Sequence, residues 1–390
     1  MAFKKVLKLV SLLAIVLVVL GFVFGPAVLE KSQNVVVVHE PYQISAAAET
    51  LHKSLIVGDW HADSTLWARD IAERSSYGHV DIPRMREGNQ AIQMFTTVTK
   101  APAGLNYDEN DADTADLITR AALLQRWPMA TWDSLTARAI YQAEKLHKIA
   151  AIDTNNFTII LSQGDLAEFL QGRGSNSALT AGLIGTEGSH ALDGNLDNIQ
   201  LLFDNGFRMM SLQHFFDNKL GGSLHGVSHA GLTEFGRDAV KEMLELDIII
   251  DVSHSSEQVV KDTLKLSTAP LVVSHTGLRG FCDSPRNIPD ELMQEIAAKG
   301  GLIGVGYWEG AICGMEPDHI AKALRYGIDL LGADHVALGS DFDGSVTAMI
   351  DSSELAAITQ ALMDIGVSDS DIRKVMGGNM VRFLGQQLPN

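Results

Sequence analysis

Short apolar runs alternate with helical segments throughout residues 51–390, and metal-ligating residue types stand at the ends of most of those runs. Together these two observations predict an α/β chain closed into a (β/α)8 barrel of the TIM type. A third observation sets the N-terminus apart: an uncharged stretch over residues 9–29 follows Lys4, Lys5 and Lys8.

The N-terminal stretch is long enough to cross the hydrocarbon core of a bilayer. Positive charge before it places the N-terminus in the cytoplasm and the rest of the chain outside, in a periplasmic or extracellular space. Its length and Val/Leu content favour an uncleaved signal anchor. Cleavage near Gly25-Pro26-Ala27 is the alternative and would release a secreted domain. The expected organisation is therefore a transmembrane segment at 1–30, a polar tether at 31–50 and a barrel domain at 51–390. A helical insertion interrupts that domain at about 100–150.

Within the domain, the predicted strands fall at 54–57, 91–97, 183–186, 207–212, 248–252, 271–273, 302–306 and 335–338. Most are apolar on both faces, as strands covered on both sides must be. Between them, residues 231–246 carry helical periodicity, with Thr233, Glu234 and Asp238 as N-terminal signals. Helices are expected in the insertion at 115–124 and 135–148. A ninth run at 157–161, followed by a helix-like segment at 165–170, is expected to lie outside the barrel. Gly172-Arg173-Gly174 reads as a loop. A doubly wound open sheet is the alternative fold.

Composition narrows the function. The chain has 390 residues, 46% of them hydrophobic and 20% charged, which is ordinary for a globular protein. Its formal net charge of −18 argues against nucleic acid and against anionic lipid headgroups as partners. The two cysteines, Cys282 and Cys313, suit a disulfide in an exported chain and free thiols in a cytosolic one.

The run 54–57 leads into Asp59-Trp60-His61-Ala62-Asp63, and 183–186 leads into Glu187. The run 207–212 leads into Gln213-His214, 248–252 into His254, and 271–273 into His275. The last, 335–338, leads into Asp341-Phe342-Asp343-Gly344. In a barrel these ends converge on one rim. His61 and Asp63, two apart on an extended chain, face the same side. A lone His-x-Asp or strand-end histidine is more often a hydrogen-bonded turn or core residue than a ligand. Four histidines and three carboxylates converging on one rim are different, because burying them unpaired is costly.

Imidazole and carboxylate together suit zinc. Glu187, with two oxygens, can bridge two Zn2+ ions. The first ion would meet His61, Asp63 and Glu187; the second would meet Glu187, His254 and His275. Each keeps an open position, the catalytic pattern. Ions about 3.5–4 Å apart can share a hydroxide of lowered pKa.

In order and spacing, several motifs resemble the membrane (renal-type) dipeptidase family over roughly residues 52–385. They are His61-Ala62-Asp63, Thr186-Glu187-Gly188-Ser189-His190, Leu212-Gln213-His214, Asp251-Val252-Ser253-His254-Ser255, Ser274-His275, Ser284-Pro285-Arg286-Asn287-Ile288-Pro289 and Gly339-Ser340-Asp341-Phe342-Asp343-Gly344. The resemblance implies a (β/α)8-barrel, two-zinc hydrolase of dipeptides that uses a metal-bridging hydroxide, with His61, Asp63, Glu187, His254 and His275 as ligands. It implies that His214 lies over the scissile carbonyl, that Arg286 receives the substrate's terminal carboxylate and that Asp341 handles the proton. It also implies a Cys282–Cys313 disulfide and a possible homodimer. The expected partners are dipeptides and, through the N-terminal segment, a membrane.

Two departures from the family pattern concern the pocket. Trp60 and Ala62 replace the usual Gly and Asn. The family's pocket tyrosine has no counterpart at Gly310, so Tyr307 or Trp308 is expected to take that substrate-binding place. Asp251 is expected either to orient an imidazole or to cap a strand end, and Asp343 to cap a loop. His190 and His225 are given structural or solvated roles.

Two rival functions follow from the same residues. One is another barrel metallohydrolase acting on cyclic amides, lactones or β-lactams. Such enzymes commonly bridge their ions with a carboxylated lysine, where this chain has Gln213-His214. The other is a non-catalytic, membrane-tethered binding protein, which the complete ligand set disfavours.

Overall fold

The computed structural model describes residues 2–390. Its barrel consists of β2 (Val57–Ala62), β3 (Gln90–Val98), β5 (Thr180–Glu187), β6 (Phe207–Ser211), β7 (Ile249–Asp251), β8 (Val272–Thr276), β9 (Leu302–Val305) and β10 (Val336–Leu338). Each pairs in parallel with its neighbours, and β10 returns to β2 to close the ring. Every residue of these strands is buried. That burial explains their continuous apolar character, since the helices cover the outer face while side chains fill the inner one.

The short strand β4 (Phe157–Ile159) pairs with the first half of β5, on the edge that β6 takes further along. It lies outside the ring, as expected. The insertion between β3 and β5 holds helices at Leu117–Leu124 and Leu135–Ile152, capped by Asp116 and Ser134. The helix anticipated at 231–246 runs Glu234–Glu245, with Thr233 capping Gly236.

Two expectations give way. Gly172-Arg173-Gly174 is not a loop but part of the helix Gln163–Ser175. There Arg173 is buried and donates to the side chain of Asn89, so tertiary contacts outweigh the poor helix propensity of two glycines. Residues 31–50 do not form a loose tether. The N-terminal helix continues to Gln33, and the following strand β1 (Val35–Val36) pairs in parallel with β11 (Thr347–Ala348). The helix Ala46–Lys53 then packs on the domain, capped by Ser45. Hydrogen bonding of extended backbone to a free edge holds this segment, which polar composition alone does not disclose.

Candidate active site

The C-terminal ends of the strands bring together His61, Asp63, Glu187, His214, His254, His275 and Asp341, all of them buried. Glu187, last residue of β5, sits at the centre. Its Oε1 lies 3.2 Å from Nε2 of His254, 3.3 Å from His214, 3.5 Å from His275 and 3.6 Å from His61. His61 Nε2 is also 3.6 Å from Asp63 Oδ1 and 3.9 Å from Asp341 Oδ1. Three overlapping groups could each hold a cation: His61, Asp63 and Glu187; Glu187, His254 and His275; and His61, His275 and Asp341.

Close approach of backbone shapes this rim. Gly188, just after Glu187, has φ +90°, and a Cβ there would strike the His190 ring and crowd Cβ of His214. A side chain at Gly344 would strike the Asp341 carboxylate.

Electrostatics separate the carboxylates. Burial pushes Glu187 up, but the surrounding imidazoles outweigh it and hold its pKa well below the ordinary value. Asp341 is raised well above the ordinary value by burial and by Glu187 and Asp63, which His61 and Arg286 do not offset. Asp63 is raised to about 6, chiefly by burial and by Glu187. Burial works against a charged His61, yet Asp63, Glu187 and Asp341 bring its pKa to about 10. Such crowding of negative charge is the environment a divalent cation neutralises.

Behind the rim, Ser274 Oγ donates to Asp251 Oδ2 at 2.7 Å. The same oxygen lies 3.2 Å from Nδ1 of His61 and 3.0 Å from Nδ1 of His275. A ring that donates from Nδ1 presents a bare Nε2 lone pair to the centre. Asp251 therefore reaches two imidazoles through one serine, while also accepting from the backbone of Ser253 and Ser274. On the other side, Thr96 Oγ1 donates to Asp63 Oδ1 at 2.6 Å. Neither Thr96 nor Ser274 was singled out for its side chain in the sequence. The only signal for Ser274 is its place beside His275.

The rim opens into a cavity of about 310 Å3, lined by Asp63, Glu187, His214, Arg286, Asp341 and Tyr107 among others. Arg286 is buried and aligned by bonds from Nη1 to Ser253 O at 3.2 Å and from Nη2 to His275 O at 3.0 Å. Tyr307 is fully buried, packs edge-on to Phe342 and does not line the cavity. The tyrosine that does is Tyr107, from the insertion, whose hydroxyl accepts from Nε1 of Trp308 at 2.9 Å. No alignment by strand position reveals a residue contributed by a long insertion.

His190 and His225 are buried rather than solvated, and burial above all lowers the pKa of each to about 3. Trp60 is buried, packs edge-on to Phe383 and does not line this cavity. Cys282 and Cys313 are disulfide-bonded, tying the loops after β8 and β9.

Residues 45–388 match the model of the membrane dipeptidase family, peptidase family M19. The chain belongs to this family. As a member of the membrane dipeptidases it is a metallo-dipeptidase. It is 27% identical over 320 residues to dipeptidase tcpJ of Claviceps purpurea, covering 79% of this chain and 69% of that protein. It is 25% identical over 349 residues to dipeptidase aclJ of Aspergillus oryzae, covering 84% and 77%. Among solved structures, a family M19 dipeptidase superposes with a TM-score of 0.68 at 25% identity, covering 86% of this chain and all (100%) of that one. The probable dipeptidase PvdM of Pseudomonas aeruginosa gives 0.71 at 20% identity, covering 88% and 98%, a likeness of fold.

Proposed function

We propose that this membrane dipeptidase hydrolyses dipeptides at a pair of zinc ions held by His61, Asp63, Glu187, His254 and His275, with Glu187 common to both. One observation carries the reading: a single buried carboxylate lies within 3.2–3.6 Å of four imidazole Nε2 atoms at the mouth of a closed barrel. The donor set fits the metal, being borderline nitrogen and hard oxygen on rings oriented from behind by Ser274. When bound, two such ions polarise the scissile carbonyl and make the water they share a nucleophile near neutral pH.

The chain's own side chains supply the rest. Asp341, held ready for a proton by burial and by Glu187 and Asp63, takes one from the attacking water and passes it to the leaving amine. His214, on the same cavity wall, donates to the oxygen that gains charge, a contribution of about 3–4 kcal/mol for one such preorganised donor. Arg286 offers a planar fork to the substrate's C-terminal carboxylate. The cavity, at the small end for a ligand site, suits two residues better than a long chain.

A panel of dipeptides, their C-terminal amides and longer peptides, assayed with and without chelator, tests this. Free dipeptides should be cleaved fastest, amides poorly, and chelator should abolish both activities until zinc is restored. Equal rates on amides, or turnover indifferent to chelator, would remove the carboxylate clamp or the metal respectively. We further assign residues 9–29 to a membrane anchor with the barrel outside the cytoplasm. The helix Ala2–Gln33 is apolar enough to span, and residues 3–24 pack against nothing.

A further inference from the structure

The anchor helix does not leave the domain through a flexible link. From Gly25 onward it packs on the domain: Pro26 and Glu30 are buried, and Leu29 packs with Ile118, Ala122 and Trp127. The Leu124 side chain lies close against Gly25, its Cδ1 3.0 Å from where a Cβ would sit, tighter than ordinary van der Waals contact. The helix Leu117–Leu124 therefore meets the anchor at its C-terminal end, on the side nearer the bilayer. The segment that follows stays beside the end of the anchor: Trp127 belongs to the cluster that Leu29 packs on, and Nε1 of Trp132 donates to Trp127 O at 3.2 Å. Over residues 123–132 (Leu-Leu-Gln-Arg-Trp-Pro-Met-Ala-Thr-Trp) the only charged residue is Arg126, in a chain of net charge −18. Three large apolar side chains there are exposed: Leu123 at 42%, Met129 at 74% and Trp132 at 38%.

Length fixes where the bilayer must end. After Lys8, the helix free of protein contact runs from Leu9 to Phe24, roughly 24 Å at about 1.5 Å per residue. The hydrocarbon core needs about 30 Å. The missing ~6 Å corresponds to the next turn, from Gly25 to Val28, which is the turn packed on Leu124.

We propose that the segment Leu123–Trp132 is a second membrane contact, inserting Leu123, Met129 and Trp132 into the headgroup boundary of the leaflet from which the anchor emerges. This rests on the anchor reading above. Aromatic and apolar side chains with one arginine are the composition that settles at such a boundary, the cation meeting lipid phosphate. Ile118, on the wall of the catalytic cavity, stands six positions before Leu124, about 9 Å along the same helix. The contact thus holds the active-site mouth beside the membrane surface in one orientation.

Full-length protein in phosphatidylcholine nanodiscs provides the test. Cys282 and Cys313 are bonded to each other, so an added cysteine is a specific labelling site. An environment-sensitive fluorophore is placed singly at Met129→Cys, at Leu13→Cys in the anchor, and at Ile152→Cys, an exposed position (85%) at the far end of the helix Leu135–Ile152. Retained dipeptidase activity verifies the fold of each variant. Labels at positions 13 and 129 should shift to the blue and be quenched by lipid carrying a doxyl group, with 129 favouring the shallow doxyl position, while 152 stays unquenched. Quenching at 13 with 129 behaving like 152 overturns the second contact and leaves the anchor standing. Absence of quenching at both 13 and 129 overturns the anchor reading and this proposal with it.

Discussion

Asp341 and Asp343 stand two residues apart on one loop, both with left-handed backbone (φ 59° and 61°), and share almost nothing else. Asp343 is saturated with donors: the Ser64 hydroxyl, the Arg69 guanidinium and the backbone N–H groups of His79 and Val80. Those partners overcome its burial and hold its pKa far below the ordinary value. Asp341 is also buried, though 8% exposed where it lines the cavity, but it faces other carboxylates, and its pKa moves the opposite way. The difference teaches that a carboxylate becomes reactive by being denied partners. The loop is fastened by the one and left responsive at the other.

The comparison can be broken most severely at the reactive side. Asp341→Asn should lower kcat by about 10^2–10^4-fold, the worth of one positioned proton-transfer group. Melting temperature and bound metal should stay close to wild type. Near-normal turnover would mean that Asp341 moves no proton. Asp343→Asn should do the reverse. Breaking its buried pair with Arg69 should remove about 3 kcal/mol of stability, read from denaturant unfolding, with a smaller effect on kcat at temperatures where the protein is folded. Loss of activity without loss of stability would collapse the distinction.

The pH dependence sharpens the same contrast. Because Asp343 has a depressed folded pKa, its contribution is complete above the unfolded value of about 4 and is lost as pH falls below it. Asp343→Asn should therefore flatten the acid limb of the wild-type stability curve below about pH 4. An unchanged limb would assign acid unfolding to other groups. The smallest effect belongs to the support behind the metal site. Ser274→Ala frees Nδ1 of His61 and His275 and should weaken zinc binding by about 10–100-fold, measured by competition with a chelator.

Much of this was legible in the sequence because the barrel turns strand ends into one place. Once runs such as 183–186 and 271–273 are read as buried parallel strands, Glu187 and His275 have to meet. The strand boundaries themselves shift: β2 begins at Val57, where the sequence run ended, because Asp59 and His61 are polar strand residues hidden by the barrel interior. Residues that act across long separations were not legible. Tyr107 reaches the cavity from the insertion, and Tyr307, placed there by its position after a strand, turns into the core instead. Ser274 and Thr96 are small hydroxyls whose importance lies wholly in what they touch. The strand pairing of Val35 and Val36 depends on a free partner at Thr347–Ala348, some three hundred residues away, which no local pattern announces.

The central claim is that Glu187 serves two ions at once, and metal stoichiometry tests it most directly. Purified, zinc-loaded protein should carry two zinc ions per chain by elemental analysis, and Glu187→Gln, still folded, should lose high-affinity binding of both together. One ion per wild-type chain, or a Glu187→Gln variant that keeps two, would contradict the account.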